Sequence, residues 1–330
     1  MRSGLPFRSD LLRSVETAER TDRPLSAAAL DMARAVIEAT DGALRENDSQ
    51  AAGHGDGELS SGLSSGLSSG LDGRSITEKS VGDYVTALDL SLDRHLSRAL
   101  TAINPVPIIS EEGPSTTDFH ALPKAWLVDP LDGTTASICG EMGLCGPMVA
   151  ILERGEPRIS VMLTLDGTTL GVAEHGSGAV LLRVMENGPR WLPIPDFASS
   201  GRLKDGCLLL NLQSDASRSH PAFVKLYDRL RTGAHTMAIE SRVPHSMAAL
   251  GLGAKRRLAV IHDNSAESPK QMAWDTLPVK LWVEERGGVY WGIDGQPYDV
   301  RRPIPIIAAA RAEIAEQLIA LVERQTGTPS

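Results

Sequence analysis

The sequence predicts an α+β half that carries a large antiparallel sheet, followed by an α/β half. Two patterns support this. Between residues 145 and 192, short apolar runs alternate with turn signals, as in an antiparallel meander. From residue 207 onward, strand-like and helix-like segments alternate. The predicted turns of the meander lie at Arg154-Gly155, Asp166-Gly167 and Gly176-Gly178.

The spacing of apolar residues in the first half predicts which of its segments are helices, strands or irregular chain. Residues 1–25 are predicted to be a loosely ordered extension, and a helix begins after Ser26, a good N-cap residue. Residues 49–76 contain three SSGL units and are predicted to be a flexible insertion. An amphipathic helix is predicted over 85–103, and strands over 106–110 and 125–129. We expect residues 26–200 to form one subdomain.

The second half, residues 201–330, is predicted to be an α/β subdomain. Its segments 207–212, 220–231, 246–254 and 257–261 alternate in strand and helix character. A helix is predicted over 276–288 and ends at Gly287-Gly288. A hairpin over 288–300, a strand over 304–310 and a helix over 312–325 follow.

Composition excludes several classes of protein. The chain has 330 residues, is 42% hydrophobic and carries a formal net charge of -9, which argues against a nucleic-acid partner. No apolar run approaches the roughly 18 residues of a membrane span, and the first residues lack the apolar core of a secretory signal. The three cysteines show no CxxC spacing, so we expect buried free thiols and a cytoplasmic protein.

Two aspartates in "WLVDPLDGTT" (residues 126–135) are the first candidate site. They can belong to a simple turn, with Asp132 or Thr134 capping the next helix. Alternatively, Asp129 ends a buried strand, where an unpaired charge is costly and a divalent cation would offset that cost. Pro130 would stiffen the turn, Gly133 would let the backbone approach a ligand, and the helix start would favour a phosphate.

Two further acidic clusters accompany this motif. Glu111 and Glu112 follow the apolar run "VPIIS", where a solvated turn would also explain them. Asp275 is predicted to be the N-cap of a helix whose first turn contains Pro278. Each cluster has an ordinary structural explanation, and their occurrence in this order favours a common site.

Strand-EE, strand-DPLDGT and WD before a helix ending in Gly-Gly together resemble the inositol monophosphatase family. Segments 85–89, 165–179 and 274–288 extend the resemblance, which runs from Ser26 to the C-terminus. It implies a layered αβαβα sugar-phosphatase fold, usually as a homodimer, and a Mg²⁺-dependent phosphatase.

The resemblance also implies a set of metal ligands. Glu111, Asp129 and the carbonyl of Leu131 would bind one Mg²⁺ ion. Asp129 would bridge to a second ion held also by Asp132 and Asp275. Glu111 would further contact a third, loosely held ion and the attacking water.

Other residues match supporting positions of the family. Thr134, hydrogen-bonded to Asp89, would orient or deprotonate the attacking water. Lys79 matches a lysine on a mobile loop near the metals. The amides of Gly133 and Thr134 would hold the phosphate, and Glu112 would have a supporting role.

The substrate pocket departs from the family pattern. Ala136-Ser137 replaces a common Asn-Phe pair, and His245 replaces a glycine before Ser246 at a helix start. His245 would meet the substrate or be a structural histidine, and Ser246 would contact the substrate. Asp263 or Glu267 would take the place of the acidic residue that binds substrate hydroxyls, and the sequence leaves this choice open.

The predicted activity is hydrolysis of inositol monophosphate or a related cyclitol or sugar phosphate, with Mg²⁺ replaceable by Mn²⁺ and with inhibition by Ca²⁺ and Li⁺. A 3'(2'),5'-bisphosphate nucleotidase, a fructose-1,6-bisphosphatase and a non-catalytic metal- or phosphate-binding module remain alternatives. The i,i+3 spacing of Asp129 and Asp132 argues against a haloacid dehalogenase-type phosphatase, which needs aspartates at i and i+2 near its N-terminus.

Overall fold

The computed structural model describes most of the chain. The described ranges are 7–16, 25–53, 76–80, 83–113, 118–185, 188–192, 201–211, 220–232, 237–241, 245–252, 257–263, 269–302 and 304–323. In the described part no helix combines the length and the apolar character needed to cross a membrane.

The first half forms a seven-stranded sheet with helices on one face. Its strands, in the order β3-β4-β5-β6-β7-β8-β9, are antiparallel except for the parallel pair β3–β4. The strands are β3 (Ile108–Ser110), β4 (Lys124–Asp132), β5 (Gly146–Glu153), β6 (Glu156–Leu163), β7 (Thr169–Glu174), β8 (Gly178–Met185) and β9 (Gly188–Leu192). The helices are α1 (Phe7–Glu16), α2 (Ala27–Gly53) and α3 (Ala87–Ile103). The antiparallel meander is therefore confirmed, and a short hairpin of β1 (Ile76–Ser80) and β2 (Asp83–Thr86) leads into α3.

The second half forms a five-stranded mixed sheet in the order β11-β10-β12-β14-β13. Its strands are β10 (Cys207–Asn211), β11 (Met237–Ser241), β12 (Arg257–His262), β13 (Val289–Gly292) and β14 (Ile306–Ala309). Its helices are α5 (Pro221–Thr232), α6 (His245–Leu250), α7 (Pro269–Glu284) and α8 (Ala312–Glu323), and the short α4 (Thr134–Ile138) follows β4.

Three apolar cores separate the layers. One lies between α1, α2, α3 and the seven-stranded sheet, and includes the buried stripe Leu88, Leu92, Leu96 and Leu100 of α3. A second surrounds α6 and α7 between the two sheets, and a third lies between the five-stranded sheet and α5 and α8. The layers are therefore helix, sheet, helix, sheet, helix, which confirms the predicted αβαβα sandwich. The predicted subdomain boundary near residue 200 stays a prediction.

Several expectations about the elements and the cysteines differ from the structure. Helix α1 forms within residues 1–25, predicted to be loosely ordered, because Leu11 and Val15 bury a single apolar face against the first core. Helix α2 continues to Gly53, into the predicted insertion, and residues 54–75 of that insertion lie outside the described residues. Strand β11 was not predicted. Cys145 is buried as expected, but Cys139 is an exposed free thiol and Cys207 is only half-buried.

The start of α7 was also predicted wrongly, and this changes how Asp275 is held. The helix begins at Pro269, so Asp275 lies inside it and is not its N-cap. Pro278 lies in the helix interior and is buried between the sheets. Proline removes one backbone hydrogen bond there, a cost that burial of the surrounding Trp274, Leu277, Leu281 and Trp282 offsets.

Candidate active site

A bulge at the end of β4 shapes the first part of the site. Asp129 pairs with Met148 and Asp132 pairs with Gly146, so two residues of β4 face one residue of β5. The strand thus continues beyond Asp129, where the sequence predicted its end. Pro130 lies where the ladder is already broken, and the Leu131 N–H donates a 2.9 Å hydrogen bond to Asp129 Oδ1.

Glycines permit the close packing of this bulge. Gly133 has φ 88, a left-handed conformation that turns the chain from β4 into α4 without a side-chain cap. A Cβ atom at Gly146 would lie 1.9 Å from the Leu163 carbonyl oxygen. The two glycines therefore keep the end of β4 and its neighbour β5 in register around the aspartates.

Four carboxyl groups converge beside the bulge. Asp129 is 1% exposed, and its pKa is raised well above the usual range, first by burial and then by the charges of Glu111, Asp132 and Asp275. The parallel pairing of β3 with β4 brings Glu111 to this edge, where its N–H donates to the Val128 carbonyl at 3.1 Å. The structure therefore brings together the predicted acidic ligands from β3, β4 and α7.

The donor set fits a hard divalent cation in its chemistry. Carboxylate and carbonyl oxygens are the ligands that Mg²⁺ takes, and a positive charge would relieve the repulsion around the buried Asp129. No three His, Cys, Asp or Glu side chains within the described ranges already stand as a closed ligand set. The carboxyl groups thus lie near one another without surrounding a single point.

The predicted pair of Thr134 and Asp89 is present. Thr134 Oγ1 donates to Asp89 Oδ1 at 2.9 Å, and the Leu131 carbonyl lies 3.3 Å from the same hydroxyl. Asp89 is 2% exposed, and its pKa is raised, because burial outweighs the hydrogen bonds from Thr86 and Thr134. The pair joins the first turn of α3 to the start of α4.

Two residues that support the site were missed by the sequence analysis. Ser110 Oγ donates to Asp93 Oδ1 at 2.5 Å and accepts the Glu112 N–H at 3.3 Å. The hydroxyl thereby fastens the turn of Glu111 and Glu112 to α3. The signal available in the sequence was the spacing of Asp89 and Asp93, four residues apart and therefore on one face of the helix.

The thiol of Cys145 lies close to the same negative charge. Its pKa is raised to about 12, first by burial and then by Asp132, Asp166 and Asp89. The thiol is therefore protonated at neutral pH and serves as an apolar core group.

The remaining candidates are placed with less detail. The resemblance placed Lys79 on a mobile loop, whereas the structure places it in strand β1. The contacts of its side chain lie outside what the structure describes. His245 and Ser246 open helix α6, with side chains equally outside that description, and Glu267 lies outside the described residues altogether. Asp263 directly follows β12 and is fully buried.

Comparison with protein families gives a match over nearly the whole chain. The model described as "Inositol monophosphatase family" matches residues 21–326. The chain is 30% identical to the inositol-1-monophosphatase ImpA of Mycolicibacterium smegmatis over 256 residues, covering 77% of this chain and 85% of the relative. It is 31% identical to the Nus factor SuhB of Xylella fastidiosa over 107 residues, 32% of this chain, and this match spans only 38% of that relative.

Solved structures show the same fold at lower identity. The extragenic suppressor protein suhB from Bartonella henselae superposes with a TM-score of 0.68 at 20% identity, covering 91% of this chain and 99% of that one. A structure titled as an IMPase/NADP phosphatase complexed with Mg²⁺ and phosphate superposes with a TM-score of 0.60 at 18% identity. The superposition covers 77% of this chain and 88% of that one.

Proposed function

The chain belongs to the inositol monophosphatase family, and on this premise we propose that it is a Mg²⁺-dependent phosphomonoesterase. The proposed substrate is inositol monophosphate or a related cyclitol or sugar phosphate. The observation that supports this most strongly is the buried carboxyl of Asp129, whose ionisation is opposed by three neighbouring carboxyl groups. Such an arrangement is costly for the fold and is useful where cations and a phosphate are bound.

The proposed metal ligands are the oxygens already near one another. Glu111, Asp129, Asp132 and Asp275 would supply carboxylates, and Leu131 its carbonyl oxygen. Bound cations would neutralise the dianionic phosphate and make a water molecule more acidic. Mn²⁺ would substitute for Mg²⁺, and Ca²⁺ and Li⁺ would inhibit.

Thr134 and Asp89 are proposed to orient the attacking water. Because the Thr134 hydroxyl donates its proton to Asp89 Oδ1, its own oxygen lone pairs remain to accept a hydrogen bond from water. Asp89 is the group to which a proton would pass through that hydroxyl. Glu111 would hold the same water from the end of the neighbouring strand β3.

The phosphate and the rest of the substrate would meet other elements. The amides of Gly133 and Thr134 are proposed to hold the phosphate, with Lys79 and Glu112 in supporting roles. Ser246, His245 and either Asp263 or Glu267 are proposed to face the substrate hydroxyls. The name of the Mycolicibacterium relative supports an inositol phosphate as substrate, and the structure titled as complexed with Mg²⁺ and phosphate supports Mg²⁺ as the ion. A cytoplasmic homodimer is proposed with it.

A panel of phosphate esters tests the proposal. The protein is incubated with Mg²⁺ and inositol 1-phosphate, fructose 1,6-bisphosphate, adenosine 3',5'-bisphosphate or sugar monophosphates, and released phosphate is measured. We expect the highest kcat/KM with the inositol or sugar monophosphates. A preference for the adenosine ester would instead establish the nucleotidase alternative, and no release from any ester would favour a non-catalytic binding module.

A further inference from the structure

The two carboxylate oxygens of Asp89 have different partners. Oδ1 accepts the Thr134 hydroxyl at 2.9 Å. Oδ2 accepts the Thr86 backbone N–H at 2.9 Å and also the Thr86 hydroxyl. In return, Thr86 Oγ1 accepts the Asp89 N–H at 3.4 Å, so the two residues form a capping box at the start of α3.

This capping box fixes the rotation of the Asp89 carboxylate. The terminal torsion of an aspartate is broad, so the group turns freely unless its oxygens are held. Both residues are buried, Thr86 at 4% exposure and Asp89 at 2%, and water therefore cannot replace the donors of Thr86. The hydrogen bonds from Thr86 also oppose the effect of burial on the pKa of Asp89 and favour its charged form.

The rotation of Asp89 in turn decides where the Thr134 hydroxyl points. Two acceptors lie within its reach, Asp89 Oδ1 at 2.9 Å and the Leu131 carbonyl at 3.3 Å. If Oδ1 turns away, the hydroxyl proton moves toward Leu131, and the lone pairs of Thr134 turn away from the position of the water. The carbonyl of Leu131 is also a proposed cation ligand, so this second arrangement would compete with metal binding.

We propose that Thr86 is a positioning residue for the reaction. Its capping box holds Asp89 so that Thr134 stays aimed at the attacking water. This inference rests on the proposed function, because it concerns a residue that acts through the pair Asp89–Thr134. An ordinary helix cap would stabilise α3 equally well and would leave turnover unchanged.

Variants at Thr86 separate the two roles by kinetics. Thr86→Val removes the hydroxyl and keeps the shape of the side chain, whereas Thr86→Ser keeps the hydroxyl. We expect Thr86→Val to lower kcat by about 10-fold or more with KM changed by less than about 2-fold. Thr86→Ser should recover most of the wild-type kcat. Should Thr86→Val not fold, Thr86→Ala removes the same hydroxyl without adding the second valine methyl.

Ser26 offers a matched control at another helix start. Ser26 Oγ accepts the Ala29 N–H at 3.2 Å at the start of α2, as Thr86 Oγ1 accepts the Asp89 N–H at the start of α3, and the Ser26 N–H donates to Glu174. Ser26→Ala should lower thermal stability and leave kcat unchanged. An equal loss of kcat in Ser26→Ala would overturn the inference, because loss of any helix cap would then be sufficient.

The Asp89→Asn background shows whether Thr86 acts through Asp89. We expect Thr86→Val to cause no further loss of kcat in Asp89→Asn, since the shared step is already lost. A full, multiplicative second loss would overturn the inference. Wild-type kcat in the single variant Thr86→Val would overturn it as well.

A structural measurement keeps this test separate from the proposed function. Crystal structures of the wild type and of Thr86→Val should show the bond from Thr134 Oγ1 to Asp89 Oδ1 kept in the first and lost in the second. Retention of that bond in Thr86→Val overturns the inference. Inactivity of the wild-type protein on every ester would instead overturn the proposed function, while the crystal structures still decide whether Thr86 positions Asp89.

Discussion

Asp89 and Thr134 are 45 residues apart in the sequence, and the Thr134 hydroxyl donates a 2.9 Å hydrogen bond to the buried Asp89 carboxylate. This bond connects helix α3, on one face of the seven-stranded sheet, to the start of α4, which directly follows the bulge at the end of β4. The same bulge carries Asp129 and Asp132. A group suited to orient water therefore lies directly beside the group of carboxyl oxygens suited to cations.

Replacement of Asp89 by asparagine tests the role of this bond. The asparagine amide retains the size of the side chain but cannot take up a proton, so we expect Asp89→Asn to lower phosphate release by roughly 10²-fold or more. Initial rates at saturating Mg²⁺ and substrate measure this. Asp31→Asn, at an exposed carboxylate of α2 paired with Arg34, serves as the control and should retain wild-type rates. Comparable rates of phosphate release by both variants would show that Asp89 has no role in the reaction.

Ser110 is expected to affect cation binding through Glu111. Its hydroxyl fastens the Glu111–Glu112 turn to Asp93, and loss of such a support typically costs 10- to 100-fold in metal affinity or activity. We expect Ser110→Ala to raise the Mg²⁺ concentration needed for half-maximal rate by about 10-fold. Thr101→Ala removes an exposed hydrogen bond of a hydroxyl on α3, the helix that carries Asp93, and should leave the Mg²⁺ requirement unchanged. An unchanged Mg²⁺ requirement in Ser110→Ala would contradict this account of the turn.

Gly146 is expected to be essential for the fold around the bulge. An added Cβ would lie 1.9 Å from the Leu163 carbonyl oxygen, so β5 or β6 would have to move. We expect Gly146→Ala to lower the free energy of unfolding by about 3 kcal/mol or more. At Gly140, also at positive φ, an added Cβ would meet nothing within 4 Å, and Gly140→Ala should cost only about 1–2 kcal/mol. Urea unfolding of both variants makes the comparison.

His262 is expected to make the fold sensitive to acid. Burial lowers its pKa from 6.5 to about 4, so the folded protein keeps this residue neutral. The unfolded chain binds this proton more tightly than the folded protein does. The free energy of unfolding is therefore at its full value above pH 6.5 and decreases by about 3 kcal/mol in total as the pH falls from 6.5 through 4. In His262→Asn this component should vanish. Unfolding curves at a series of pH values test this, and parallel losses in both proteins would show that other groups are responsible.

Sequence reasoning predicted the meander, the helix α3 and the acidic ends of the strands because each has a local signal, whereas the layer order and the ligand set followed from the family resemblance. Asp129 ends an apolar run, and Leu88 to Leu100 repeat at helical spacing. The start of α7 was missed because Asp275 and Pro278 imitate a helix N-terminus, and only burial between two sheets makes proline tolerable inside the helix. Ser110–Asp93 and Thr86–Asp89–Thr134 depend on how α3 packs beside β4, which no local pattern encodes.

The most direct measurement is phosphate release by wild type and Asp129→Asn, each with Mg²⁺ and with EDTA. The account predicts release from inositol 1-phosphate or a sugar monophosphate only by the wild type with Mg²⁺. It also predicts that Asp129→Asn remains folded, since the variant removes a buried group whose charge is opposed by burial and by three neighbours. Wild-type turnover by Asp129→Asn, or full activity of the wild type in EDTA, would contradict the central claim that the carboxyl groups around Asp129 form the metal site of a phosphatase.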